Sequence, residues 1–175
     1  SEIYMKMRRC PQPIISLVHG AASGGGFAFA LASDIRIAGE SARMNAAFIK
    51  IGLSSCDMGV SYFLPRLVGW QKASALSMLG DKLMATDAER FGMLYKVFLD
   101  ESFTGESKKI AATLAQMPTR GLAYTKQLLN ISFHSTYEEQ LQEEDIYQQR
   151  AAQTADYNEG IQAFLEKRQP VFKGE

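Results

Sequence analysis

The residues best suited to chemistry are three consecutive glycines, Gly24, Gly25 and Gly26. The apolar run over 13–18 predicts a buried strand before them, and the small apolar residues over 27–32 predict a helix after them. Glycines at a helix start leave backbone N–H groups bare at the positive end of the helix dipole. This stretch could therefore bind an anionic oxygen, or one that becomes negative during a reaction.

The glycines alone also fit other uses. They could form only a tight turn that lets strand and helix pack closely. The spacing of Gly20, Gly24 and Gly26 also matches the G-x-x-x-G-x-G pattern of short-chain dehydrogenases, and Glu40 lies at a suitable distance for a ribose contact. Those enzymes also use a Tyr-x-x-x-Lys pair, and no tyrosine here is followed by lysine four positions later. Dinucleotide binding is therefore disfavoured.

Ser23, directly before the glycines, suggests the nucleophile of a serine hydrolase. The two histidines, His19 and His134, lie far apart in the chain and offer no clear shared setting as a base. We therefore interpret His19 as a packed or edge residue at the end of the first strand. A hydrolase of this kind is disfavoured.

Asp57 is the candidate acid/base. Its neighbours Cys56, Met58, Val60 and Phe63 predict a partly apolar pocket, in which one carboxylate could move a proton to or from an acidic carbon. A structural alternative is that Asp57 caps a helix that begins near residues 59–60. The two roles are compatible.

Composition narrows the class of protein. Of the 175 residues, 46% are hydrophobic, which is typical of a globular chain, and 19 Lys and Arg balance 19 Asp and Glu, so no global charge favours nucleic acid or an anionic membrane. Cys10 and Cys56 form neither a disulfide framework nor, with the histidines, a metal-ligand spacing. No apolar run is long enough to span a membrane, and residues 1–10 lack a signal core. We expect a reducing, cytoplasmic location without metal, nucleic acid or membrane.

The order of predicted elements indicates an α/β chain with a helical C-terminal region. A capping-box pattern, Thr86 to Glu89, predicts the start of one helix. Long polar helical patterns occupy 103–168, with breaks at Pro118, at Ser135–Thr136 and at 154–156. Further strands are predicted at 34–38, 42–45 and 95–99, and further helices at 60–68 and 71–79.

Four segments together resemble the crotonase (enoyl-CoA hydratase/isomerase) superfamily: PQPIISLVHGAASGGGFAFALASDIRIAGESARM, IGLSSCDMGVSYFLPRLVG, GDKLMATDAERFGMLYKVF and EGIQAFLEKRQPVFKGE. The resemblance covers essentially all 175 residues. It implies part of a crotonase β-β-α spiral over 1–102, a helical oligomerisation region over 103–175, and a homotrimer or dimer of trimers. Relatives usually carry a further half-domain before this point, which would supply a first oxyanion N–H group and most contacts to the nucleotide of coenzyme A.

By position, the resemblance makes the Gly25 N–H the second oxyanion donor for an acyl-CoA thioester, with Gly24 and Gly26 lining the thioester. No cofactor beyond the coenzyme A of the substrate is implied. Hydratases of this family use two glutamates, and the corresponding positions here are Ala28 and Phe48, neither of which can transfer a proton. Phe48 is instead a candidate substrate contact. Asp57 matches the aspartate of dienoyl-CoA and phenylacetate-pathway isomerases.

The resemblance further implies that Phe172 and Lys173 approach the adenine of coenzyme A, although a lysine near a tail is more often simply solvated. The expected activity is an enoyl-CoA isomerase rather than a two-glutamate hydratase. Hydratase-like activity, acyl-CoA hydrolysis and a non-catalytic acyl-CoA-binding or assembly role remain alternatives. In a eukaryote the location would be mitochondrial or peroxisomal.

Overall fold

The computed structural model describes residues 2–175, which form two compact units. The core unit contains the residues up to Arg8 together with Ile14–Lys109, and the helical unit contains Arg9–Pro13 together with Ile110–Glu175. The sequence predicted a boundary at residue 102, between part of a crotonase spiral and a helical oligomerisation region. This division stays a prediction. No helix within the described range has the length and apolar character that a membrane span requires.

Nine α-helices, six short strands and one 3₁₀ helix are formed within residues 2–175. The strands are β1 (Ile15–Val18), β2 (Ala21–Ser23), β3 (Ile35–Gly39), β4 (Arg43–Asn45), β5 (Leu83–Met84) and β6 (Lys96–Phe98). The helices are α1 (Glu2–Arg9), α2 (Gly25–Ala32), the 3₁₀ helix (Ala47–Ile51), α3 (Val60–Val68), α4 (Trp70–Leu79), α5 (Ala85–Arg90), α6 (Asp100–Ala115), α7 (Thr119–Ile131), α8 (Tyr137–Ala152) and α9 (Ala155–Glu166).

The strands form two small sheets, and β1 to β4 belong to them alternately. One sheet has the order β1-β3-β6 with all pairs parallel, and the other has the order β2-β4-β5, in which β2 and β4 are parallel and β4 and β5 antiparallel. Gly20 (φ +63°), between β1 and β2, adopts a left-handed conformation that favours glycine. Two strands followed by a helix therefore occur twice, as β1-β2-α2 and as β3-β4-3₁₀-α3, which is the predicted strand-strand-helix arrangement.

Helix α2 is the centre of the core unit because it is apolar on nearly every side. Phe27 and Leu31 are each 1% exposed, and its alanines at 28, 30 and 32 are also buried, which allows the helix to lie close to the strands. Burial of one large apolar side chain contributes about 1.5–3 kcal/mol relative to its exposed state. Hydrophobic packing therefore fixes the position of the helix start that carries the glycines.

The C-terminal end of α2 is neutralised by Arg36 of β3. Its guanidinium donates to the carbonyl oxygens of Leu31 (3.3 Å), Ser33 (2.6 Å) and Met93 (2.7 Å). A cation at this end satisfies carbonyls that the helix leaves unpaired and opposes the negative end of the dipole. Burial lowers the pKa of Arg36, and the charge of Arg8 acts in the same direction.

Asp34 joins α1, β1 and the end of α2. Its carboxylate accepts hydrogen bonds from Arg8 Nη1 (2.7 Å) and from the Ile14 N–H (2.8 Å). Bonds to a charged group of this kind contribute more than neutral ones. Asp34 therefore has a structural role in the core unit.

In the helical unit, α7, α8 and α9 are separated at the predicted breaks. Thr136 and Glu139 form a complete capping box at the start of α8, with Glu139 Oε2 to Thr136 N–H at 2.8 Å and Thr136 Oγ1 to Glu139 N–H at 3.3 Å. These hydrogen bonds lower the pKa of Glu139. On α9, Phe164 is 82% and Leu165 73% exposed, so the unit presents large apolar side chains on its surface.

Two local expectations were wrong. The capping box at Thr86 and Glu89 does not form, since α5 begins at Ala85 without a side-chain cap and Glu89 Oε1 instead accepts from the Val97 N–H at 3.0 Å. The stretch after Gly20 is a second strand, β2, before the helix. Both differences arise from pairing with distant segments of the chain, which local patterns do not reveal.

The segment after α9 is held by two carboxylates. Asp156 is buried and accepts from the N–H groups of Lys173 (2.7 Å) and Gly174 (2.9 Å). Glu159 accepts from Arg168 Nη1 (2.6 Å) and Nη2 (2.9 Å) and from the Val171 N–H (2.8 Å). The hydrogen bond from Arg168, followed by that from Val171, lowers the pKa of Glu159 from 4.5 to about 2.

We expect the Glu159 contact to persist at acidic pH. Because the pKa of Glu159 is lowered on folding, its contribution is fully present above pH 4.5 and is lost only as the pH falls through about 2. A pH titration by NMR of the Glu159 carboxyl carbon and the Val171 amide should give a shared midpoint near the lowered value. In Arg168→Gln the midpoint should move back towards 4.5. A midpoint near 4.5 in the unsubstituted protein would contradict the contact.

Candidate active site

The glycine turn, residues 24–26, lies between β2 and α2. Gly24 has φ +53° and ψ −115°, a conformation that is essentially restricted to glycine. Its N–H donates to the Asn45 carbonyl (3.2 Å), and a Cβ atom at this position would lie 3.1 Å from the Phe48 ring. Both the backbone conformation and the space therefore require glycine at position 24.

The Gly25 N–H is an open donor at the first position of α2. The first intrahelical hydrogen bond runs from the Ala28 N–H to the Gly24 carbonyl at 3.0 Å, so the N–H groups of 25–27 precede the helical ladder. Among residues 2–175, no acceptor pairs with the Gly25 N–H. Gly25 is half-buried and Gly26 exposed. The arrangement can stabilise negative charge on an oxygen that binds at this helix start.

The side chains near this donor are apolar. The Phe48 ring, carried by the 3₁₀ helix, lies against Gly24, and the Met58 Cε lies 3.9 Å from the position of a Cβ on Gly25. Ala28 is fully buried in the core rather than directed to solvent. The structure thus brings Gly24, Gly25 and Phe48 together, and neither Ala28 nor Phe48 supplies an acid or base. Their roles towards a thioester stay predictions.

Asp57 lies beside this site but is exposed. The prediction that it sits in a partly apolar pocket was therefore wrong. Its Oδ1 accepts from the Met58 N–H (2.7 Å), and its carbonyl accepts from the Val60 N–H (2.9 Å). The capping alternative is also wrong, because α3 has Gly59 as its N-cap and no side-chain cap. In the Asp57 loop, residues 55–59, it is the Met58 side chain that packs against Gly25 and Tyr4. The Asp57 side chain is left exposed to solvent.

Tyr4 of α1 connects Asp57 to the glycine turn. Its ring is buried, with a centroid 4.9 Å from that of Phe29, and its hydroxyl donates to Met58 Sδ at 3.0 Å. Burial raises the pKa of Tyr4, and the negative charge of Asp57 raises it further. The charge of Asp57 thus acts on the Tyr4 hydroxyl. That hydroxyl contacts Met58, whose methyl group lies near Gly25.

Two polar residues that the sequence did not single out position these parts. Asn45 accepts from Ser23 Oγ (2.6 Å) and donates to the Gly80 carbonyl (3.2 Å), in addition to holding Gly24. Ser55 donates to the Ala46 carbonyl (2.8 Å) and accepts from the Ile49 N–H, which ties the Asp57 loop to the 3₁₀ helix. The only signal in the sequence was one Asn before apolar residues for Asn45, and Ser55, next to Ser54, gave none.

The remaining candidates have other positions. The Ser23 hydroxyl donates to Asn45, which gives it a structural partner in the turn. His19 is exposed directly after β1, as an edge residue. In the helical unit, the Phe172 ring lies against Gly160 and the Lys173 backbone N–H donates to Asp156. The roles of Phe172 and Lys173 towards coenzyme A stay predictions.

Comparison with known proteins decides the family. The model of the enoyl-CoA hydratase/isomerase family matches residues 1–175. The chain belongs to the enoyl-CoA hydratase/isomerase family. The fold agrees, since the chain superposes on the crystal structure of enoyl-CoA hydratase from Bacillus anthracis with a TM-score of 0.95 at 30% identity, covering 99% of this chain and 67% of that one. The resemblance to the crotonase superfamily and its fold is thereby confirmed.

Curated relatives carry both isomerase and hydratase names. The chain is 41% identical over 169 residues to the 1,2-epoxyphenylacetyl-CoA isomerase of Escherichia coli, covering 97% of this chain and 64% of that protein. It is 38% identical over 165 residues to a protein of Rhodobacter capsulatus named "Probable enoyl-CoA hydratase", covering 94% and 64%. The chain therefore spans somewhat less than two thirds of the length of these relatives.

The geometry of the glycine turn predicts opposite effects for two alanine substitutions. Gly24→Ala should lower the free energy of unfolding by about 1–3 kcal/mol, because the backbone conformation excludes a side chain and Phe48 occupies the space. Gly26→Ala should raise it by about 0.5–1 kcal/mol, because a Cβ there meets nothing within 4 Å and alanine favours the helix. Urea unfolding of both variants provides the measurement, and equal effects would argue against this turn.

Proposed function

We propose that this chain processes acyl-CoA thioesters by stabilising an enolate oxygen at the Gly25 N–H. The observation that carries the proposal is this open donor at the start of a buried helix, beside apolar side chains of Phe48 and Met58. A fixed dipole in apolar surroundings acts more strongly on developing charge than the same dipole in water. Removal of one oxyanion donor typically costs about 10²- to 10³-fold in rate.

Isomerisation is the reaction that the acid/base groups favour. Shifting a double bond requires one group that removes a proton at one carbon and returns it at another, whereas hydration also requires a group that activates water. Ala28 and Phe48 cannot activate water, and Asp57 is the carboxylate adjacent to the site through Met58 and Tyr4. We therefore propose an enoyl-CoA isomerase with Asp57 as its acid/base, in line with the isomerase name of one relative.

A second candidate function is acyl-CoA binding without turnover. It is favoured by the same apolar residues at 28 and 48 and by the exposure of Asp57 to solvent. Hydratase-like and hydrolase activities are weaker candidates, because both require an activated water.

The proposal includes an assembly and a location. We propose a homotrimer or dimer of trimers, supported by the exposed Phe164 and Leu165 on α9. Coenzyme A is the only non-protein group in the proposal, as part of the substrate. The proposed location is the cytoplasm.

Substitution of Gly25 tests the oxyanion donor. Gly25→Pro removes the N–H at the first helical position, where proline is well tolerated, and Gly25→Ala keeps the N–H at the same position. We expect Gly25→Pro to lower kcat/KM for 2- or 3-enoyl-CoA thioesters by about 10²- to 10³-fold. Gly25→Ala should remain much closer to the unsubstituted protein, because its Cβ would lie 3.9 Å from Met58 Cε, an ordinary contact. Thermal unfolding of both variants checks that the fold is retained, and equal activity in the two variants would refute the donor role.

Substitution of Asp57 tests the acid/base. Asp57→Asn keeps the size of the side chain but cannot accept a proton, and we expect double-bond migration to fall by about 10²-fold or more. The matched control is Asp81→Asn, which alters an exposed carboxylate of the same unit whose nearest cation, Lys50 Nζ, is 3.8 Å away. Ultraviolet and mass analysis of 2- and 3-enoyl-CoA separates isomerisation from hydration and hydrolysis. Undiminished isomerisation in Asp57→Asn would exclude Asp57, and binding without turnover in the unsubstituted protein would favour the second candidate.

A further inference from the structure

Met58 has an unusual backbone conformation at the site. Its φ is +51°, in the left-handed region that residues with a side chain rarely adopt, and among residues 2–175 it shares this feature only with Lys167 outside glycine. Such a conformation persists where surrounding contacts hold it, and it occurs preferentially at functional sites. Hydrophobic packing alone does not explain why Met58 has this backbone conformation.

Two contacts hold Met58 in place, and a third holds the residue that follows it. Tyr4 Oη donates to Met58 Sδ at 3.0 Å, and Tyr4 is itself only 8% exposed and packed on Phe29. The Met58 N–H donates to Asp57 Oδ1 at 2.7 Å. On the following residue, the Phe63 ring lies so close to Gly59 that a Cβ there would be 3.2 Å from it. The backbone, the thioether and the next residue are thus each fixed by a separate partner.

The Met58 methyl group lies beside Gly25, the residue that carries the open amide of the site. Its Cε lies 3.9 Å from the position of a Cβ on Gly25, on the residue whose N–H begins α2. A thioester oxygen bound at this N–H has its α-carbon two bonds away, so the α-carbon has to lie close to Gly25 as well. The phenyl ring of Phe48 lies against Gly24, the residue before Gly25, and limits the space beside it.

We propose that Met58 is a specificity-determining residue that favours thioesters with an unbranched α-carbon, and that Tyr4 is its positioning residue. The inference rests on the proposed function, because it places the thioester oxygen at Gly25. A methyl branch on the α-carbon directed towards Met58 requires the thioether to leave its hydrogen bond with Tyr4. One methyl group in an apolar pocket changes affinity by about 10- to 200-fold. Because a methionine side chain adapts more easily than other side chains, we expect the lower end of this range.

The test compares the binding of two unreactive probes, butanoyl-CoA and 2-methylbutanoyl-CoA, by titration calorimetry. The protein should bind the unbranched probe about 10-fold or more tightly than the branched one. Met58→Gly suits a left-handed backbone, which offsets part of the packing lost with the side chain, and the preference should fall to within about threefold of unity. Met58→Leu keeps the bulk of the side chain but loses the sulfur that accepts from Tyr4, so its preference should fall only as far as that of Tyr4→Phe and stay above that of Met58→Gly.

Tyr4→Phe isolates the hydroxyl, because the ring and its packing on Phe29 remain. It should lower the preference by about threefold or more with little change in the affinity for the unbranched probe, a split that a general loss of stability would not produce. An unchanged preference in both Met58→Gly and Tyr4→Phe would overturn the inference while leaving the proposed function intact. If the unsubstituted protein binds neither probe, the proposed function itself fails, and the inference with it.

Discussion

The hydrogen bond from the Gly24 N–H to the Asn45 carbonyl is the contact on which the site depends. It joins the end of β2 to the end of β4 at the point where the chain turns into α2. Because Gly24 has a backbone conformation that only glycine tolerates, the turn is sharp enough for the helix to begin at the next residue. The direction of the Gly25 N–H follows from this turn and from the burial of α2.

The core unit keeps this helix start in place by packing on most sides of α2. Small buried alanines allow the strands to approach, large side chains such as Phe27 and Leu31 supply buried area, and Arg36 satisfies the carbonyls at the opposite end. Any shift of α2 would break all of these contacts at once. Electrostatic stabilisation of a developing charge depends on dipoles that need no reorganisation during the reaction, and this packing provides that rigidity.

The chemical character of the site comes from what surrounds the open amide. Phe48 and Met58 keep its surroundings apolar, while the carboxylate of Asp57 stays in solvent at the edge, linked to the site through Met58 and Tyr4. Apolar surroundings strengthen the interaction of the amide with charge, and a solvated carboxylate avoids the cost of burying a second negative charge nearby. The proposed oxyanion donor and the proposed acid/base can therefore coexist within a small space.

The sequence by itself determined most of the local structure. The strand before the glycines, helix α2, the strands at 35–39 and 43–45, and the breaks between α7, α8 and α9 follow from apolar patterns and from glycine and proline positions. These signals are local, and they were sufficient for the fold class and for the residues of the glycine turn. The resemblance of four segments to one superfamily extended this to the family itself.

Only the tertiary structure decided how these parts meet. Strand β2 forms because β4, far along the chain, offers it a partner, and Glu89 leaves the predicted capping box because Val97 offers its N–H. Asp57 is exposed although its neighbours are apolar, since the chain folds so that Met58 turns towards Tyr4 and Gly25. Asn45 and Ser55 position the site through contacts between segments. Each of these outcomes depends on long-range pairing and burial, which the spacing of residues along the chain does not encode.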